Sequence, residues 1–198
     1  MIRLASRSPR RAELLTLVGA HFETVPVDID EHAEPGERAD AHVLRLAEAK
    51  ARAAHACSGN STGEEGVVYL GADTVVTLDR AILGKPTGSE DAARMLRCLS
   101  GRIHEVWTGL FILNHSDGKS VGGALRSIVR FAELDTEDIR RYVATGEPLD
   151  KAGAYAVQGL GALYVEAIEG SYSNVVGLPL SYLKLLLGLL HDAPVRPS

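Results

Sequence analysis

Apolar side chains recur at spacings of three and four along several stretches of this 198-residue chain, and elsewhere they run on continuously. The alternation of these two patterns predicts a mixture of helices and strands. Ile2 to Leu4 is a short apolar run that breaks on small residues and leads straight into a helix. That helix is expected from Pro9 to about Val18, with Leu14, Leu15 and Val18 inward and Gly19 as its stop. Ser8 suits the N-cap, and Pro9 the first helical position, where its missing N–H costs nothing. A strand follows from Phe22 to Val27, then an acidic turn, Asp28-Ile29-Asp30-Glu31. The second helix runs from near Asp40 to about Cys57, and its inward stripe is Val43, Leu46, Ala47, Lys50 and Ala54. Lys50 therefore falls on a face that should be apolar.

The polar, Gly-rich stretch Ser58 to Gly66 reads as a mobile loop. Val67 to Leu78 reads as a buried strand, which Asp79-Arg80 turns back into Ala81-Ile82-Leu83 as a hairpin. A third helix is capped by Ser89, carries Glu90 and Asp91 in its first turn and ends before Gly101. Two long strands, Ile103 to Leu113 and Ala124 to Glu133, are joined by a turn around Asn114 to Gly118. Thr136 starts a helix that Gly146 ends, Ala152 to Ile168 reads as Gly-rich and extended, and Pro179 opens a last helix to about Leu190. Short turns between strand pairs argue for a mixed α/β sheet and against a purely parallel one.

Composition changes this picture only a little. A hydrophobic fraction of 45% and a charged fraction of 24% are ordinary for a globular domain long enough to bury a sizeable core. The net charge of −5 argues against general nucleic-acid binding, so positive charge for a phosphorylated ligand has to be local. Cys57 and Cys98 lack metal-ligand spacing, and the Arg-rich start has no apolar core of a signal peptide, so a reduced, cytoplasmic, soluble protein is expected. Leu185 to Leu190 is too short to span a bilayer.

The chemistry is concentrated in a few residues that break the pattern. Ser6, Arg10 and Arg11 lie at a strand end and helix start, where free N–H groups and the helix dipole favour an anion. Asp73 interrupts an otherwise apolar, small and hydroxyl strand, and a buried carboxylate is costly unless paired or metal-bound. Its small neighbours Gly71 and Ala72 would let a ligand approach the backbone. Glu31, a solvated acid if taken alone, is a partner for Asp73, because two carboxylates from separate loops are a usual way to hold Mg²⁺ beside phosphates. Lys50 and Lys85 add cations, although a lysine on a helix can also snorkel to water. The segment 147–159 is dense in small residues, and its Gln158 offers both acceptor and donor to a planar edge such as that of uracil or thymine.

These residues lie in blocks that resemble the Maf-like nucleoside triphosphate pyrophosphatases over nearly the whole chain. The blocks are Leu4-Ala5-Ser6-Arg7-Ser8-Pro9-Arg10-Arg11, Asp30-Glu31, Leu46-Ala47-Glu48-Ala49-Lys50-Ala51, Gly71-Ala72-Asp73-Thr74-Val75-Val76 and Gly84-Lys85-Pro86. They continue with Leu99-Ser100-Gly101, the run 150–159 and the run 170–180. Arg7 departs from the family, which usually has a small residue there. The resemblance implies an inosine-triphosphatase-like (Maf/Ham) fold, an elongated mixed sheet flanked by helices, with two lobes and a central cleft. It implies one domain over residues 1–192, a loose tail over 193–198, and a homodimer. It further implies hydrolysis of a nucleoside triphosphate to monophosphate and pyrophosphate with Mg²⁺ or Mn²⁺. Asp73 matches the catalytic carboxylate, and Glu31, with Asp73, the metal site. Arg10, Lys50 and Lys85 match phosphate contacts, with Ser6 and Arg11 in the same cradle. Arg10, Thr74 and Gln158 match positions tied to base selection. The Lys-Ala-Gly-Ala-Tyr…Gln form resembles the subgroup acting on dTTP and UTP, as opposed to the sister subgroup acting on 7-methyl-GTP. A reading from another class is a regulatory nucleotide-binding protein acting on cell division, and a third is a phosphosugar or nucleotide-sugar binder without turnover.

Overall fold

In a computed structural model, residues 1–58 and 66–192 are described. The expected loop between Ser58 and Gly66 lies for the most part outside them, as does the expected tail over 193–198. The strands are β1 (Ile2–Ala5), β2 (Phe22–Thr24), β3 (Val68–Leu78), β4 (Ala81–Leu83), β5 (Ile103–Asn114), β6 (Ser120–Phe131) and β7 (Val165–Glu169). The helices are α1 (Pro9–Leu17), α2 (Ala39–Cys57), α3 (Ser89–Leu99), α4 (Thr136–Ala144), α5 (Tyr172–Val176) and α6 (Leu180–Asp192). The seven strands form one mixed sheet in the order β2-β1-β3-β5-β6-β7, with β4 paired to β3. β1 pairs in parallel with both β2 and β3, whereas β3 with β4 and β6 with β7 are antiparallel. Among the described residues no helix is long and apolar enough to cross a membrane.

The chain divides into two compact units. The first comprises residues 1–73, 108–125 and 177–198, and the second 74–107 and 126–176. In the first, a core of Ala5, Ala47, Ala51, Ala54, Tyr69 and Phe111 is notably small-sided, and that has a cause. A Cβ on Gly71 would lie 1.8 Å from the carbonyl oxygen of Ala47, and one on Gly109 would lie 2.3 Å from that of Val43. α2 thus rests with its backbone directly on β3 and β5. The space expected to admit a ligand at Gly71 is filled by this helix. In the second unit, α3 and α4 pack Leu96, Leu99, Ile139 and Tyr142 onto Val106, Val129 and Phe131.

Several expected boundaries move, each for a local reason. β2 stops at Thr24 rather than Val27, because Pro26 has no N–H to extend the ladder after the Val25 amide bonds Leu4. Val18 is the C-cap of α1 and 54% exposed, not inward, since the chain has already left the helix there. Ser89 is the first residue of α3, and Gly88 holds the N-cap; Asp91 reaches back to the Thr87 amide at 3.0 Å in place of a serine cap. Asp135, one residue ahead of Thr136, caps α4 with Asp138 in a reciprocal pair. The segment expected to be extended over 152–168 instead contains 3-10 turns at Ala152–Ala154 and Leu160–Tyr164 before β7, and α5 was not foreseen. Asp79 and Arg80 both take positive φ, as a tight two-residue hairpin requires.

His104, on β5, is buried against Phe131 and Tyr155 and shares a 2.8 Å hydrogen bond with the Tyr155 hydroxyl. Burial pushes its pKa down from 6.5 to about 4. The unfolded chain therefore binds a proton on this ring below pH 6.5 that the folded chain refuses until about pH 4. Stability should fall as pH drops through that window, and His104→Gln should flatten the slope relative to the parent in urea titrations. Gly71→Ala should cost roughly 3 kcal/mol in the same titrations at neutral pH, because the obstructing atom is helix backbone and cannot swing aside.

Candidate active site

The first unit holds six of the expected site residues, Ser6, Arg10, Arg11, Glu31, Lys50 and Asp73. β1 has β2 on one side and β3 on the other, both parallel to it, so its carboxyl end is a switch point, where ligands bind in open α/β sheets. Ser6 follows that end directly and is 8% exposed. Its Oγ accepts the Ser8 amide and Arg11 Nη1, each at 3.1 Å. Ser8 occupies the N-cap position of α1 but makes no side-chain cap bond, contrary to expectation. Arg11 is buried on the inner face of α1, and its Nε donates to the Gly177 carbonyl at 2.8 Å. Burial pushes its pKa below the ordinary arginine value; the charges of Asp73 and Glu31 act against that shift, and Arg10 adds to it. Arg10, beside it on the first turn of α1, is partly exposed, and Arg7 lies out in solvent 3.8 Å from Asp28.

Asp73 is placed by register. Ala5 pairs with Gly71, so Asp73 lies two residues beyond the last rung shared with β1, on the same face of β3 as Gly71. Ala47 sits on Gly71, and Lys50 is one turn further along α2. The close seating of the helix thereby delivers Lys50 Nζ to Asp73 Oδ1 at 2.6 Å. Both side chains are nearly buried, at 9% and 11% exposure. Glu31, 45% exposed, meets the same ammonium, Oε1 to Nζ, at 2.6 Å. The alternative of Lys50 snorkelling to water is replaced by an ion triad in which Lys50 and Asp73 are nearly buried and Glu31 is half-exposed.

Two carboxylates from separate segments thus converge on one cation. They are hard oxygen donors in the number a protein commonly gives to Mg²⁺ when phosphates and water complete the shell, so the residues present fit such an ion. The loop bearing Glu31 is itself anchored, in a way the sequence did not reveal. Arg45 donates to the Glu37 carboxylate at 2.7 Å through both Nε and Nη2, and to the carbonyl of His32 at 3.0 Å, one residue past Glu31. His42 Nδ1 lies 2.9 Å from the same carboxylate. Arg45, with His42 and the Glu34 amide, holds the Glu37 carboxyl well below the usual range against its burial. Glu37 and Arg45 are eight residues apart across a helix start, a spacing with no recognised signal.

The remaining expected residues belong to the second unit. Thr74 follows Asp73 on β3 and is partly buried. Lys85 is exposed after β4, where the Gly84 carbonyl accepts the Gly153 amide at 3.0 Å. Gln158 lies between the two 3-10 turns, with its Oε1 buried and lacking a hydrogen-bond partner among the described residues.

The fold is that of a mixed α/β protein with a Lys–Asp–Glu ion triad just past the carboxyl end of β1, and the chain belongs to the Maf-like protein family, whose model matches residues 1–190. Its relatives include a dTTP/UTP pyrophosphatase of Geobacter sp. (strain M21), 54% identical over 90% of each chain. The dTTP/UTP pyrophosphatase of Syntrophotalea carbinolica is 50% identical over 90% of this chain and 80% of its own. That of Anaeromyxobacter sp. (strain Fw109-5) is 48% identical over 98% of this chain and 94% of its own.

Removing one partner from a buried ion pair leaves an uncompensated charge. Lys50→Met should therefore cost about 3–5 kcal/mol in urea unfolding at pH 7. Adding Asp73→Asn to the same chain should restore most of that loss, and a double-mutant cycle measures the coupling.

Proposed function

We propose that this chain hydrolyses dTTP and UTP to the nucleoside monophosphate and pyrophosphate, as a cytoplasmic housekeeping enzyme with a single catalytic domain over residues 1–192. The observation that carries the proposal is the Lys50 ammonium, 2.6 Å from both Asp73 and Glu31, the first a nearly buried carboxylate within a strand. Relatives named for this reaction, about half identical over nine-tenths of the chain, support the choice of substrate.

In the proposed reaction water attacks the α-phosphorus, the α–β phosphoanhydride P–O bond breaks, and pyrophosphate departs. Asp73 accepts the proton of the attacking water, for which it needs only to lie within hydrogen-bond reach. Lys50, Arg10 and Arg11 oppose the charge that builds on the phosphates, and Ser6 contributes its hydroxyl to the same cradle. Mg²⁺ or Mn²⁺ held by Glu31 and Asp73 would neutralise phosphate charge and acidify bound water. In the absence of nucleotide, Lys50 keeps the two carboxylates together against their mutual repulsion. Lys85 is assigned a phosphate contact, and Thr74 and Gln158, with Arg10, base selection. A homodimer, which the resemblance also implies, is open to sedimentation analysis.

Pyrophosphate release should be measured from dTTP, UTP, CTP, GTP, 7-methyl-GTP and modified pyrimidine triphosphates, with either metal. Turnover led by dTTP and UTP is expected, and Asp73→Asn should lower kcat by about 100-fold or more. Release of orthophosphate without pyrophosphate, or full activity in the variant, would contradict the scheme. Nucleotide binding without any turnover would leave the regulatory binding protein as the better reading.

A further inference from the structure

The backbone on both sides of Gln158 is pinned by one carboxylate and one phenol. Glu147 follows α4, and its side chain turns back onto three donors. Oε1 accepts the Tyr142 hydroxyl at 2.8 Å and the Gly161 amide at 3.0 Å, while Oε2 accepts the Leu160 amide at 3.1 Å. The Tyr142 oxygen in turn accepts the Ala156 amide at 3.1 Å. The chain is therefore held two residues before Gln158 and at the second and third residues after it. The seating is close enough to exclude side chains. A Cβ on Gly159, where φ is +91°, would lie 2.6 Å from Glu147 Oε2. One on Gly161 would lie 2.3 Å from the Ala156 carbonyl and 2.5 Å from the Tyr142 hydroxyl. Burial works against the charged form of Glu147, but the Tyr142 hydroxyl and the two amides outweigh it and hold its pKa below the ordinary value.

Inside this clamp the Gln158 Oε1 is buried without a partner among the described residues. A buried acceptor left unpaired is unfavourable, and a free loop would shift to satisfy it. The clamp prevents that shift. What remains is a buried acceptor with no donor among the described residues, open to one that a ligand brings.

We propose that Glu147, working with Tyr142, is a positioning residue for base selection, fixing the 156–161 loop so that Gln158 presents its carbonyl oxygen to the ring N–H of thymine or uracil. The proposal rests on the dTTP/UTP reading above. Cytosine carries a lone pair at the corresponding ring nitrogen, so acceptor would face acceptor and the buried oxygen would stay unpaired. Sites built around a hydrogen bond reject ligands that lack the matching group far better than apolar pockets reject a change of size. Glu147 touches no base in this scheme and acts only through the loop.

The test is a double-mutant cycle read as nucleotide preference. kcat and KM for dTTP and dCTP are measured for the parent, Glu147→Gln, Gln158→Ala and the double variant. Glu147→Gln sets an NH₂ against one of the two backbone amides and so releases one clip. The expected result is a dTTP-over-dCTP preference in kcat/KM reduced about tenfold, carried by KM, with kcat nearly unchanged. Gln158→Ala should reduce the preference similarly, and Glu147→Gln should then add nothing to it. Equal losses for both nucleotides, or an undiminished effect of Glu147→Gln on top of Gln158→Ala, would overturn the positioning role. If Gln158→Ala leaves the preference intact while pyrophosphate is still released, the proposal falls and the hydrolase reading survives. If the parent turns over neither nucleotide, the hydrolase reading falls by itself, and the same cycle is run on dTTP and dCTP dissociation constants from calorimetry. Should Glu147→Gln fail to fold, Tyr142→Phe removes the hydroxyl linking Glu147 to the Ala156 amide and carries the same cycle.

Discussion

The backbone of α2 lies directly on two glycines, Gly71 of β3 and Gly109 of β5, and the chemistry of the first unit depends on that contact. A helix seated on ordinary side chains stands well away from a sheet. Here the absence of two Cβ atoms lets the carbonyls of Val43 and Ala47 approach the strands, and the alanines of α2 fill the core that results. The same approach brings Lys50 within hydrogen-bond distance of Asp73, in a place where a charge without a partner would be costly to bury. Packing and ionisation are thus one constraint. The helix can sit low only over glycine, and the carboxylate can be buried only if the helix sits low.

Much of this could be read in the sequence, because it follows from periodicity. The 3.6-residue stripe put Lys50 on the inner face of α2, and a lone acid in an apolar strand marked Asp73. That these two form a pair was not read: the sequence set Asp73 beside Glu31, and only the register of α2 on β3 brings Lys50 to it. Glu31 was legible more weakly, as an available second carboxylate. Local turn chemistry fixed the β3–β4 hairpin at Asp79-Arg80. The resemblance to a known family added the roles proposed for Lys85 and Thr74, which the residues alone left open.

What could not be read was held by contacts between residues distant in sequence. Arg11 reaches the carbonyl of Gly177, and Glu147 reaches the amides of Leu160 and Gly161; such partners leave no periodic trace. The density of small residues over 147–159 suggested a backbone exposed to a ligand, and in part it serves the protein itself. Gly153 makes room for the side chain of Val76, and Gly159 for the carboxylate of Glu147. The misplaced ends of β2, α1 and α3 have a local origin instead. Each was decided by one proline, one cap or one returning side chain rather than by the apolar pattern around it.

An acidic protein with a net charge of −5 gains a practical advantage by keeping its cations paired in this way. Exposed lysines and arginines would attract polyanions indiscriminately, and screening would weaken their hold on any one ligand. In the first unit Arg11 is tied to Ser6 and Gly177, and Lys50 is shared between Asp73 and Glu31, so neither presents a freely rotating charge. A ligand must offer the lysine something at least as good as two carboxylates at 2.6 Å. Under the proposed function a metal-bound triphosphate would meet that condition: Glu31 and Asp73 are the residues that would hold the cation, which would free the Lys50 ammonium for the phosphates. A simple monoanion offers only half of that exchange. If the proposed function holds, the ion triad would itself favour a metal–triphosphate over smaller anions before any base is read.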